Sequence, residues 1–276
     1  MFTSIAAVVV GLGVLIWSAD RFVDGAAAAA RLLGISTLII GIVVVGFGTS
    51  APEIGVSVIA VLQATPGIAI GNALGSNIAN IGLILGVTAI LVSIPVQTHL
   101  LKTEFPLLMI ATAVMTWCLS DLHLGYLEGV LLVIMLLVIL YYLIRQHRLH
   151  PGDYTELDSD TLKIAESSIE PARGLTLPQA LLWILTGLAL LVVSSKALVW
   201  GASNIAREFG ISELIIGLTI VALGTSLPEL AASIASLKKN VPDVAIGNVI
   251  GSNLFNSLAV VGIPAMLAPF DFERSA

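Results

Sequence analysis

One segment of this chain occurs twice, and the repetition limits what the chain can fold into. Residues 34–86 align with residues 210–262 at a constant offset of 176 without a gap, and about 24 of the 53 aligned positions are identical. Each copy has a glutamate in an otherwise apolar stretch, Glu53 in the first and Glu229 in the second. The fold must therefore contain two equivalent units, each with a carboxylate among apolar residues.

The composition indicates an integral membrane protein. The mean hydropathy is +1.03, 57% of the residues are apolar and only 11% are charged, which excludes a soluble domain. A membrane-spanning helix needs about 20 apolar residues, and long unbroken apolar runs argue against a β-barrel. An all-α membrane protein is predicted, with eight spans at roughly 2–19, 35–61, 68–93, 104–120, 124–144, 178–200, 211–237 and 243–268.

The polar stretch 145–177 predicts how the two copies are oriented. We interpret it as a cytoplasmic linker between a first repeat, 1–144, and a second repeat, 178–276. Because five predicted helices precede it, an odd number, the second repeat enters the membrane inverted, and inverted repeats are typical of secondary transporters. The first repeat continues through two more helices than the second. The same logic therefore predicts ten helices, of which eight are present, so that the chain looks truncated and is expected to lack full transport activity.

Basic residues predict the sidedness. With the N-terminus outside, nine lysines and arginines lie in cytoplasmic segments and three lie outside. Cytoplasmic loops of membrane proteins carry an excess of these residues, so this orientation is preferred.

The repeated glutamates are candidates for ion binding. An ionisable side chain within the membrane costs about 2.5–3.5 kcal/mol, and neither segment offers a basic partner. Pro52 and Pro228 each free a backbone carbonyl four residues earlier. The candidate cation ligands are Thr49, Ser50, Glu53, Ser76 and Asn80 in the first repeat and Thr225, Ser226, Glu229, Ser252 and Asn256 in the second. Such oxygen ligands suit Ca²⁺, Na⁺ or Mg²⁺, whereas zinc and copper prefer nitrogen and sulfur.

Structural roles account for other conspicuous residues. The pairs Gly71/Gly75 and Gly247/Gly251 have the spacing that lets membrane helices approach closely. Serine and threonine hydroxyls often bond only to their own helix. We assign interfacial positions near span ends to Asp20 and Lys196, a favourable helix-dipole interaction to Glu104, packing to Cys118, and no role beyond weak pH sensing to His99, His123, His147 and His150.

The doubled motifs GTSxPE and GNxxGSNxxN resemble the α-repeats of the cation/calcium antiporter family, in particular prokaryotic sodium/calcium exchangers and their potassium-dependent relatives. The resemblance implies ten helices in two inverted sets of five, with the ligands named above at mid-membrane. It also implies sodium ligation by the carbonyls of Gly46 and Ala222, sliding of the first and sixth helices, and residence in a prokaryotic inner membrane. Asn256 stands where several relatives carry aspartate, which leaves potassium dependence and stoichiometry open.

The predicted function is antiport of Ca²⁺ against Na⁺, with a possible link to K⁺. A Ca²⁺/H⁺ antiporter is the first alternative, since two carboxylates can also exchange protons. A cation channel is less favoured, because internal inverted repeats indicate a self-contained carrier. No catalytic motif such as HExxH is present, so the protein is predicted not to be an enzyme. The expected partners are small inorganic cations and the lipid bilayer, without nucleic acid or cofactor; the oligomeric state is open.

Overall fold

The computed structural model describes residues 1–91, 99–149, 174–211, 220 and 222–272. The helices of this part, named in chain order, are α1 Phe2–Leu33, α2 Thr37–Ile40, α3 Gly46–Leu62, α4 Pro66–Ala79, α5 Gly86–Leu91, α6 Phe105–Cys118, α7 Tyr126–Leu149, α8 Leu177–Glu208, α9 Ala222–Thr225, α10 Leu227–Lys238, α11 Pro242–Phe255 and α12 Val261–Leu267.

Four π-helical turns join some of these helices. They are π1 Gly41–Val45, π2 Asn80–Leu85, π3 Leu100–Glu104 and π4 Asn256–Val260. Two short strands, β1 His123–Leu124 and β2 Phe270–Asp271, pair antiparallel. Both π2 and π4 begin at a predicted cation ligand, and π-helical turns are frequent at functional sites.

Seven helical stretches of the described residues are long and apolar enough to cross a membrane. They correspond to seven of the eight predicted spans and confirm an all-α membrane protein. The remaining prediction, 211–237, is described only at Ile211, at Ile220 and from Ala222 onwards, where α9 and α10 are separated at Ser226. The linker prediction falls largely on residues outside the described part.

The helix pair α1 and α8 shows how the repeats are related. A Cβ atom built at Gly25 would lie 2.7 Å from the carbonyl oxygen of Ala180, and one at Gly11 would lie 3.2 Å from that of Ser194. The two helices therefore pack backbone to backbone, and they run antiparallel because the contacts pair the end of one with the start of the other. Since α8 corresponds to α1 by the same offset of 176, equivalent helices have opposite directions, as inverted repeats require.

Both helices of this pair are longer than predicted. The predicted spans ended near residues 19 and 200, but α1 and α8 each have 32 residues. The charges after the first apolar run do not end the helix because they have partners: Asp24 pairs with Lys239 at 2.9 Å, and Arg21 lies over the rings of two tryptophans. Asp20 and Lys196 consequently lie inside helices rather than at helix ends, and their interfacial position stays a prediction.

Helix α11 is the most enclosed of the candidate spans, and glycines make its packing possible. A Cβ at Gly41 would lie 3.0 Å from the Cα of Gly247, and one at Gly46 would lie 2.9 Å from the Cα of Gly251. Residues without side chains thus bring π1 and α3 of the first repeat into direct backbone contact with α11 of the second. The packing predicted for Gly247 and Gly251 is confirmed at these positions.

The repeated second helix begins slightly earlier than predicted in both repeats. It begins at Pro66 in the first repeat and at Pro242 in the second, whereas the predicted spans began at 68 and 243. Proline at the first turn suits a helix start because its missing N–H would be unpaired there anyway. The segment of the first repeat that packs against α11 corresponds to residues 212–219 of the second repeat, which lie outside the described part. The packing of Gly71 and Gly75 therefore stays a prediction.

Glu104 and two histidines form a buried network that the sequence did not suggest. The Glu104 carboxylate is fully buried and contacts His99 Nδ1 at 3.3 Å and His147 Nε2 at 3.1 Å. His147 Nδ1 lies 2.9 Å from the Ser36 hydroxyl, which itself accepts a hydrogen bond from the backbone of Ile39. Glu104 directly precedes α6, so its predicted position at a helix start is confirmed. The network in addition ties the last turn of α7 to the start of α2.

The pair His123–Asp271 predicts a pH effect on the contact between β1 and β2. Its atoms Nδ1 and Oδ1 are 2.7 Å apart, and this hydrogen bond raises the pKa of His123 above its usual value of 6.5. A histidine with a raised pKa contributes stability that is present below pH 6.5 and is lost as the pH rises through the raised value. We expect amide protection of residues 122–124, after correction for intrinsic exchange, to fall as the pH rises above 6.5 through the raised pKa of His123, and His123→Gln to remove the fall. An equal fall in His123→Gln would contradict this account.

Candidate cation site

The two repeated glutamates lie inside the protein on α3 and α10. Glu53 is 1% exposed and Glu229 is 2% exposed. Within the described residues, both carboxylate oxygens of Glu53 and one of Glu229 accept no hydrogen bond. The two side chains are close enough for their charges to interact. Buried carboxylates without partners are costly unless a cation compensates them, so both residues are poised to bind one.

Hydroxyl groups from the two repeats meet beside these carboxylates. Thr49 Oγ1 on α3 lies 3.4 Å from Ser252 Oγ on α11, and both side chains are fully buried. Thr49 also donates to the carbonyl oxygen of Val45 at 3.0 Å, one helical turn earlier. The structure thus brings together predicted ligands that are 203 positions apart in the chain.

Four more predicted ligands are buried and have side-chain atoms without a hydrogen-bond partner in the described part of the chain. They are Ser50, Asn80, Ser226 and Asn256. Ser76 is also buried, and Thr225 is half-buried with further interactions of its own. Unpartnered buried oxygen atoms are rare in folded proteins and indicate a ligand or ion that completes their coordination.

The prolines that precede the two glutamates occupy different positions in their helices. Pro52 lies inside the continuous helix α3, whereas Pro228 lies in the first turn of α10, after the break at Ser226. The carbonyl that Pro228 releases is that of Gly224, and it accepts a hydrogen bond of 2.7 Å from the Ser195 hydroxyl on α8. This carbonyl was predicted to be free for a cation, and the structure instead gives it a partner from α8.

The two predicted carbonyl ligands lie at helix starts. Gly46 begins α3, directly after the turn π1, and Ala222 begins α9. Gly46 is buried against the backbone of Gly251. Their role as sodium ligands stays a prediction.

Sequence reasoning missed three polar residues that hold the site together. Ser195 binds the Gly224 carbonyl, and Asn72 and Asn248 each donate to the backbone carbonyl oxygen of a glutamate, at 3.1 Å for Glu53 and 3.0 Å for Glu229. The repetition of the asparagines was visible in the sequence. Their partners were not, because bonds to backbone carbonyls leave no pattern of residue types.

The chemical types of the candidate ligand atoms determine which ions suit the site. Its side chains offer carboxylate, hydroxyl and amide oxygens, and among the described residues no group of three or more histidines, cysteines, aspartates or glutamates converges on a metal position. Oxygen ligands of this kind fit hard cations such as Ca²⁺ and Na⁺, whereas zinc and copper sites need nitrogen or sulfur.

Inverted membrane repeats that converge on buried carboxylates define a secondary transporter. The family model described as "Sodium/calcium exchanger protein" matches residues 3–145 and 179–276. The chain therefore belongs to the sodium/calcium exchanger protein family.

Individual relatives and solved structures agree with this membership. The putative antiporter CaxA of Alkalimonas amylolytica is 46% identical over 98% of this chain and 82% of its own length. The sodium/calcium exchanger MaX1 of Methanosarcina acetivorans is 29% identical over 94% of this chain and 81% of its own length. A structure of the sodium-calcium exchanger NCX_Mj, soaked with 10 mM Na⁺ and zero Ca²⁺, has a TM-score of 0.82 and 31% identity, covering 99% of this chain and 86% of that one.

Proposed function

We propose that the protein exchanges Ca²⁺ for Na⁺ at one shared site formed by both repeats. The observation that carries the proposal is the pair of buried glutamates with unpartnered carboxylate oxygens, Glu53 and Glu229, surrounded by hydroxyl and amide groups. The ligands are the residues predicted from the sequence, and membership of the exchanger family supports the choice of ions.

Charge balance explains how one site can exchange the two ions. One Ca²⁺ or two Na⁺ neutralise two carboxylates, so the ions compete for the same oxygens. A neutral occupied site can be enclosed in the low-dielectric interior at a lower cost than an empty site with two negative charges. Ions are therefore transferred across the membrane only with the site filled, and this constraint couples the two fluxes.

Two cavities at equivalent positions support alternating access. One of about 280 Å³ is lined by α1 and α10, including Asp20 and Ala231. The other, of about 540 Å³, is lined by α8, α3 and α9, including Lys196 and Gly55, which correspond to Asp20 and Ala231 by the offset of 176. We infer that they mark the access paths from the two sides, and that movement of the pair α1 and α8 across the other helices opens one path and closes the other.

We also propose the domain division 1–144, 145–177 and 178–276, with the N-terminus outside. Two contacts support this proposal, the ion pair of Asp24 with Lys239 and the contact of Ser36 with His147, because they bring basic segments of both repeats and the start of the linker close together. The positive-inside rule favours the cytoplasmic side for such basic segments.

This orientation can be tested by labelling. In a background with Cys118 replaced by serine, cysteines at His123 and at Ser159, which lies outside the described residues, should react with a membrane-impermeant reagent from opposite sides. Reaction of both from one side would contradict the inverted arrangement.

Calcium uptake into proteoliposomes tests the function itself. We expect uptake of radioactive Ca²⁺ when Na⁺ is loaded inside and diluted outside, and no uptake with equal Na⁺ on both sides. Uptake driven by a proton gradient alone would indicate a Ca²⁺/H⁺ antiporter, and calcium flux without any counter-ion would indicate a channel. Adding K⁺ shows whether transport is linked to it.

A further inference from the structure

Each repeat contains an asparagine whose side chain donates a hydrogen bond to the backbone of its glutamate. Asn248 Nδ2 donates to the carbonyl oxygen of Glu229 at 3.0 Å and to Ser233 Oγ at 2.9 Å. Asn72, 176 positions earlier, donates to the carbonyl oxygen of Glu53 at 3.1 Å and to the hydroxyl of Ser57 at 3.0 Å. Neither asparagine belongs to the predicted ligands.

The two acceptors fix the orientation of the Asn248 amide. The side chain is fully buried, and turning the amide over would place its oxygen against the carbonyl oxygen of Glu229. The oxygen Oδ1 must therefore point the other way, where it accepts from Thr49 Oγ1 at 3.2 Å and from Ser252 Oγ at 3.4 Å. One amide thus connects the glutamate of the second repeat with hydroxyls from both repeats.

This arrangement controls where the hydroxyl protons point. A hydroxyl that ligates a cation must direct a lone pair at the ion and its proton elsewhere. The oxygen of Asn248 can only accept a proton, so it draws the hydroxyl hydrogen of Ser252 away from the ion. The single hydroxyl hydrogen of Thr49 is shared between this oxygen at 3.2 Å and the Val45 carbonyl oxygen at 3.0 Å. Because the bond to the Glu229 carbonyl also fixes the helix at the carboxylate, the same side chain aligns charged and neutral ligands together.

We propose that Asn248 is a positioning residue that sets the preference of the site for Ca²⁺ over Na⁺, and that Asn72 is its counterpart in the first repeat. This inference rests on the proposed function. Ca²⁺ requires six to eight oxygen ligands, so a loss of alignment among neutral ligands weakens its binding more than that of a monovalent ion. Residues that orient metal ligands typically contribute about 10–100-fold to metal affinity, and we expect this range for calcium.

Direct binding to the purified full chain in detergent tests the proposal. Calcium and sodium affinities are measured by titration calorimetry for the wild type, Asn248→Ala, Asn248→Ser and Asn72→Ala. We expect calcium affinity to fall about 10–100-fold and sodium affinity to fall less, so that the ratio of the two changes. Thr112→Ala is the control, because that hydroxyl bonds only to the Leu108 carbonyl of its own helix among the described partners. Its ratio should equal that of the wild type.

The outcomes separate this inference from the proposed function. Glu229→Gln in the same titrations tests the site itself. If Glu229→Gln loses calcium binding while the folded asparagine variants keep the wild-type affinity ratio, the positioning role is wrong and the site is right. Should Asn248→Ala fail to fold, Asn248→Ser and Asn72→Ala decide by the same ratio. Equal losses for both ions would also overturn the proposal, since a purely structural defect does not discriminate between cations.

Discussion

Glutamine at position 229 is expected to abolish calcium transport, and glutamine at position 53 is expected to do the same. The substitution keeps the shape of the side chain but removes one of two buried charges, so a bound Ca²⁺ would keep an uncompensated positive charge in the membrane interior. Removing one partner of a buried charge pair costs about 3–5 kcal/mol, which corresponds to a loss of calcium affinity of about 100-fold or more. Sodium should lose proportionately less, because one carboxylate still neutralises one Na⁺.

Glu128 provides the matched control for these substitutions. It lies at the start of α7, where its carboxylate accepts a hydrogen bond from the Gly125 N–H at 3.1 Å, and a glutamine oxygen can accept the same bond. Glu128→Gln should therefore transport calcium like the wild type. Unchanged calcium affinity in both Glu53→Gln and Glu229→Gln would place the site elsewhere in the chain.

Gly251→Ala should destabilise the protein severely. A Cβ at this position would overlap the backbone of Ile42 in π1, and a Cβ built at Gly46, the first residue of α3, would lie 2.9 Å from the Cα of Gly251. Because the obstacle is backbone rather than the end of a flexible side chain, π1 with the start of α3 would have to move away from α11. We expect a loss of about 3 kcal/mol or more, at the upper end of overpacking effects, and separation of ligands that face each other across this contact.

Thermal unfolding in detergent, followed by circular dichroism or by loss of the monodisperse peak on size-exclusion chromatography, measures this effect. Gly13→Ala is the control, since Gly13 is an exposed residue of α1. A Cβ atom added there would have no neighbouring atom of the described residues within 4 Å. The equivalent position of the second repeat, Ala189, already carries this side chain. Equal melting temperatures for Gly251→Ala and the wild type would show that the close approach of α3 and α11 is not required.

The sequence predicted the features that repetition and polarity make visible. The doubled segment and the odd number of predicted spans before the linker predicted inverted repeats, and the antiparallel pairing of α1 with α8 agrees. The glutamates stood out because a charge in an apolar run is costly. Family membership confirms the class of transporter that these features suggested, while the ligand roles of individual residues stay predictions.

The features that were missed depend on partners far apart in the chain. Asp24 was not expected within a helix, because its partner Lys239 is distant in sequence. The histidine contacts of Glu104 likewise join segments that the pattern did not connect. The carbonyl of Gly224 looked free from local geometry alone, and only the packing of α8 supplies Ser195. Local patterns thus located the site, and tertiary contacts determined how it is held.

The central claim is that Ca²⁺ and Na⁺ compete for one site that contains Glu53 and Glu229. Calcium affinity of the purified protein, measured by titration calorimetry at increasing sodium concentration, tests this claim most directly. If two Na⁺ replace one Ca²⁺, the logarithm of the apparent calcium Kd should rise with the logarithm of sodium concentration with a limiting slope of about two. A calcium Kd that stays constant as sodium increases would contradict a shared site.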